Sequence, residues 1–153
     1  MVNKGKIMQL LRAVSFLLLG AWGVSVLLRP LEGYLTYFIA WMAFRILSFT
    51  HHVTLANSTI YGSRVSIQVV YLCTPAPVFG LVLSYFALTW RGWKDLVLLL
   101  VAFLTIAVFD ALRIAAMFVL LEHNYSMFIS HDITAYVSFL IAIGLIIFVR
   151  ERI

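Results

Sequence analysis

Three side chains in this sequence have types and settings that suit covalent chemistry: the single cysteine Cys73, Arg113 inside a long apolar run, and His131 at the start of another. A thiol attacks a carbonyl as its thiolate, the form a neighbouring cation favours. A fixed guanidinium can stabilise the oxyanion of a tetrahedral intermediate in a low-dielectric site, and an imidazole can serve as base and then as acid. The chemistry these three imply together is acyl transfer from a peptide. Asp110, three residues before Arg113, would modulate the guanidinium. Each residue also has a plainer use. A cysteine at a helix end fills apolar space, Asp110 and Arg113 can form an i,i+3 bridge or an interhelical clamp, and His131 with Asp132 can cap a helix. A lone cysteine forms no internal disulfide, and four histidines beside one thiol have no metal-ligand spacing. No metal or cofactor is expected. With no Gly-rich phosphate loop, no Ser nucleophile elbow and no paired metal carboxylates, nucleotide-driven chemistry is not expected.

The elements that must position these residues follow from composition. The 153 residues are 64% hydrophobic and 11% charged, against about 25% charged in an ordinary soluble domain. That excludes a soluble globular protein and favours a single membrane domain with lipid as a partner. The formal charge of +5 is too dispersed among apolar runs for a nucleic-acid face, so no nucleic-acid partner is expected. Charge-free stretches predict an all-α integral membrane protein with transmembrane helices over 7–28, 75–90, 96–121 and 133–149. Arg29-Pro30 closes the first, and Pro75 and Pro77 open the next of these.

The segment 34–49 holds Arg45 and is short for a span, so a helix lying in the interface is expected, with a fifth spanning helix as the alternative. Its small and polar positions Thr36, Ala40, Ala43 and Ser48 form only a faint stripe. The positive-inside rule favours the interfacial arrangement. It places Lys4, Lys6, Arg12, Arg91, Lys94, Arg150 and Arg152 inside and Arg29, Arg45 and Arg64 outside. Within 59–69, alternation about Gly62-Ser63 predicts a small extracytoplasmic β-hairpin just before Cys73.

Depth then brings the reactive residues to one side. Cys73 stands at the outer mouth of the 75–90 helix. Arg113 lies 18 residues beyond Asp95, about 27 Å along a helix axis and so near the outer boundary. His131 opens the last helix from the same face.

Cys73, the element Asp110-Ala-Leu-Arg113-Ile114 in the next helix and His131 before the last one together resemble the exosortase/archaeosortase family of integral membrane cysteine enzymes, over roughly residues 62–149. The resemblance implies Cys73 as nucleophile, Arg113 as oxyanion or thiolate partner and His131 as acid/base. It also implies a prokaryotic cytoplasmic (inner) membrane location, multi-pass, with the active site facing outward. The implied activity is that of a thiol protease or transpeptidase that sorts proteins of the cell envelope. Its substrate would be a surface or exported protein with a C-terminal motif, a transmembrane segment and a basic tail, cleaved through a thioester. Two departures stand out. Cys73 is followed by Thr74-Pro75-Ala76 where the family has a Ser-Gly or Asn-Gly step, and Asp110 replaces the usual Asn. The first changes the backbone donors beside the thiol, and the second sets a carboxylate beside Arg113. A divergent enzyme and an inactive relative are both compatible with these changes.

The competing reading is a noncatalytic membrane scaffold or assembly protein, in which Asp110, Arg113 and His131 form a structural cluster. A haem carrier fits poorly, because the histidines fall at helix ends and in loops.

Overall fold

The structure is a computed structural model and describes residues 4–152. Helix α1 (Lys4–Leu28) continues through a 3-10 turn (Arg29–Leu31) into α2 (Glu32–Leu47). Three short strands follow, β1 (Thr54–Ala56), β2 (Thr59–Tyr61) and β3 (Ser66–Gln68), then a 3-10 turn (Tyr71–Cys73). Helices α3 (Ala76–Leu88) and α4 (Lys94–Glu122) come next, and a π-helical turn (Phe128–Ile133) leads into α5 (Thr134–Arg152).

This corrects the expectation of an all-α protein with four transmembrane helices and an interfacial fifth. Among the described residues two helical stretches are long and apolar enough to cross a membrane, Leu11–Leu47 and Lys94–Glu122. Four spans are not supported among the described residues: the 133–149 segment, within α5, is not among these stretches, and two physical reasons alter the others. Arg29-Pro30 does not end the first helix. Pro30 occupies the opening of the 3-10 turn, where its missing N–H costs nothing, and the chain runs on helically, so two expected elements form one stretch. Helix α3 has 13 residues and rises about 20 Å, short of a hydrocarbon core about 30 Å thick. It starts only after Thr74, whose backbone is extended, and stops at Thr89, whose hydroxyl donates back to the Tyr85 carbonyl at 2.6 Å.

The hairpin expected over 59–69 is part of a three-stranded antiparallel sheet in the order β1-β2-β3. Ile60 pairs with Ile67 across β2 and β3, and Leu55 with Ile60 across β1 and β2. The β1–β2 turn is set by Asn57 at φ 54°, a left-handed conformation asparagine tolerates.

Packing divides the molecule into two regions. In the first, α2 turns Ile39, Ala40, Ala43 and Leu47 inward against Ile60, Ile67 and Val69 of the sheet region and the distal half of α4. The faint stripe of small residues in 34–49 is therefore α2's packing face, with Thr36 buried beside Ala40 and Ala43. Tyr34, Tyr37, Phe38 and Trp41 remain exposed, and Arg45 lies 6.0 Å from the centre of the Trp41 ring. In the second region, Val82 and Phe86 of α3 pack on Leu99, Ala102 and Ile106 of the proximal half of α4.

Helices α1 and α3 approach so closely that a Cβ on Gly80 would lie 2.5 Å from the Ala21 Cα and 2.6 Å from the Gly20 carbonyl oxygen. Small residues at a helix interface allow this backbone contact, which supplies dispersion energy where lipid gives no hydrophobic drive. The opposite side of α4 exposes Val97, Leu100, Val101, Leu104, Val108 and Leu112. An uncovered apolar ridge on a span-length helix is the surface that lipid solvates.

Candidate functional site

The site is built where the 3-10 turn carrying Cys73 meets α4. Its local order comes from Val70-Tyr71-Leu72-Cys73-Thr74: the Cys73 N–H donates to the Val70 carbonyl at 2.8 Å, and the Thr74 N–H to the Tyr71 carbonyl at 2.9 Å. The Thr74 hydroxyl donates to that same carbonyl at 2.7 Å. Pro75 follows and has no N–H. Residues 73–75 therefore have no main-chain donor left for an oxyanion: two are spent within the turn and Pro75 has none.

Two long-range contacts fix the turn to the helices. The Tyr71 hydroxyl donates to the Ser25 carbonyl near the end of α1. Burial, reinforced by the charge of Glu32 and opposed by Arg29, pushes the Tyr71 hydroxyl above its ordinary pKa, so it stays a donor. From the other side, Arg113 Nη2 donates to the Cys73 carbonyl oxygen at 2.7 Å. The same nitrogen lies 3.1 Å from Asp110 Oδ1, with the two side chains 15% and 10% exposed. Asp110 Oδ2 is buried without a hydrogen-bond partner.

Cys73 and Arg113, 40 residues apart, are thus brought together, with Asp110 paired to Arg113 as its spacing allows. Arg113, however, is bonded to the main-chain carbonyl of Cys73. Cys73 itself is a free, half-buried thiol packed against the cluster formed by α2, the sheet and distal α4. His131 sits on the π-helical turn, which packs against α4. Its Nδ1 is 2.7 Å from Asp132 Oδ1. Among the described residues no hydrogen bond or ion pair joins His131 to Cys73 or to Arg113. Helical π-turns occur often at functional sites, and this one also buries the Ser130 hydroxyl without a partner.

Two features of the site escaped sequence reasoning. Tyr71 as an anchor had no signal beyond lying two residues from Cys73. The other is a polar contact at the far end of α4, where Glu122 lies 3.6 Å from His51 Nε2 and accepts from the Ser63 hydroxyl at 3.4 Å. His51 also meets Phe118 edge-on at 6.2 Å. Gly62 completes this corner, because a Cβ there would fall 2.3 Å from Phe118 Cζ. The only sequence signal was the Gly-Ser step itself.

Among the described residues no group of three or more His, Cys, Asp or Glu could hold a metal ion. No family model, no curated protein and no solved structure matches this chain.

Proposed function

We propose that the protein is a membrane-embedded cysteine peptidase or transpeptidase that cleaves the C-terminal sorting tail of an exported protein at the outer face of a prokaryotic cytoplasmic membrane. The observation that carries this reading is the meeting of Cys73 with Arg113 at one end of the helices, with the His131 turn packed on the same α4. The substrate's apolar segment would lie against the exposed helix faces, with its basic tail inside. The Cys73 thiol gives its proton to His131 Nε2, and Sγ attacks the scissile carbonyl, forming a C–S bond. The C–N bond then breaks, and the leaving amine takes its proton from His131. Water or an amine afterwards attacks the thioester, giving up a proton to His131; the C–S bond breaks and Cys73 regains that proton from His131 as the thiol. The interaction of Nδ1 with Asp132 leaves Nε2 for these transfers.

The test is a reporter carrying an exported domain, a short linker, an apolar segment and a basic tail, followed by immunoblot of cells expressing the native chain or Cys73→Ala. Release of the tail by the native chain and full retention by Cys73→Ala at equal abundance is the expected result. Equal processing by both overturns the assignment.

One observation favours the second reading, a noncatalytic scaffold: main-chain donors at 73–75 are all spent or absent. Under that reading Cys73→Ser is silent in every assay, while Arg113→Ala lowers protein abundance.

A further inference from the structure

We infer that Arg113 is a positioning residue: seated by Asp110, it holds the Cys73 turn through the Cys73 carbonyl, as the α4 counterpart of the Tyr71 anchor on α1. The inference depends on the proposed peptidase reading only for the importance of the thiol, and the geometry that carries it stands without it. Five hydrogen bonds define the turn. Three are internal, from the Cys73 and Thr74 N–H groups and the Thr74 hydroxyl. They set the shape of the turn, which also packs against α2. The other two, Tyr71 to Ser25 of α1 and Arg113 of α4 to Cys73, are the hydrogen bonds that tie its position to two different helices.

The Arg113 contact is charge-assisted and short, the strong kind of hydrogen bond. Its acceptor is the carbonyl of the cysteine itself, so any movement of the guanidinium is passed to the thiol through one residue's backbone. Asp110, one helical turn earlier, keeps the guanidinium from swinging away. This explains a carboxylate at that position: beside an arginine meant to act by its charge it would weaken the field, whereas beside an arginine meant to hold a carbonyl it fixes the fork.

Cys73 is the single cysteine, so alkylation of the purified full chain in detergent reads its position directly and needs no substrate. The probes are iodoacetamide, which is neutral, and an anionic and a cationic methanethiosulfonate. The variants are Arg113→Gln, Asp110→Asn and Tyr71→Phe, the last removing one hydroxyl at the other anchor. With the half-buried thiol released, Arg113→Gln should react roughly tenfold faster with all three reagents, the factor one charge-assisted hydrogen bond is worth in an opening equilibrium. The ratio of anionic to cationic rates should hold within about twofold, because opening alters access for either charge alike. Tyr71→Phe should move all three rates in the same direction, and Asp110→Asn should do so more weakly. The inference is overturned if Arg113→Gln lowers the anionic-to-cationic ratio while the neutral rate stays unchanged, or if Tyr71→Phe leaves every rate at the native value. Either outcome leaves the peptidase reading standing, and loss of that reading in the reporter assay leaves these rates as they are.

Discussion

Arginine-to-alanine replacement at position 113 strands two groups at once, the Cys73 carbonyl and the Asp110 carboxyl, both in a site where Arg113 and Asp110 are 15% and 10% exposed. Removing one member of a buried pair costs more than neutralising both, typically 3–5 kcal/mol against little or nothing. Arg113→Ala should therefore lower stability by roughly 3 kcal/mol, and the double variant Asp110→Asn/Arg113→Gln by clearly less. Urea or thermal melts of the detergent-solubilised chain check the ordering, and a double variant as unstable as Arg113→Ala would contradict it. At this scale the sequence was informative where residue type and depth sufficed. An arginine inside an apolar run is expensive and calls for a partner, and counting along the helix put it level with Cys73. Which atom of Cys73 it meets was not legible. That depends on the 3-10 turn, and the turn depends on a tyrosine reaching α1, a contact 46 residues apart in sequence.

Helix contacts were less legible, because small residues in an apolar run look alike whichever side of the helix they occupy. Gly20, Gly23 and Gly80 are of one type, yet a Cβ on Gly80 would strike the α1 backbone while one on Gly23 meets nothing within 4 Å. Gly80→Val should force α1 and α3 apart and cut folded yield severely. Gly23→Ala, relieved of glycine's helix penalty of about 1 kcal/mol, should be neutral or stabilising. Size-exclusion yield after detergent extraction separates the two, and equal yields would refute the close contact. Continuity through Arg29-Pro30 was missed because proline ends a helix from its interior but is harmless at an opening turn. Strand β1 was not legible because Thr54-Leu55-Ala56 ends in two apolar residues and does not alternate, and the Asn57-Ser58 turn to β2 carries no glycine. The β2–β3 hairpin was legible because Ile60 and Ile67 alternate with polar neighbours about Gly62-Ser63, and those isoleucines are the ones buried.

The whole molecule combines exposed apolar helix faces with a packed region made of α2, the sheet and distal α4. Exposed apolar ridges on α1 and α4 and two span-length stretches place it at a membrane. Membrane vesicles washed with alkaline carbonate should retain the chain in the pellet, and its appearance in the supernatant would contradict insertion. Composition made that membrane association legible, but the number of spans was not, since hydropathy counts apolar residues and does not register where a helix stops.

The proposed peptidase reading requires Cys73 to form a thioester with its substrate, and intact-mass spectrometry after acid quench tests that most directly. Native chain turning over the tail-bearing reporter should gain the mass of the retained fragment, and hydroxylamine should remove that mass. Cleavage of the reporter with no hydroxylamine-labile adduct on the chain at any time point would contradict it.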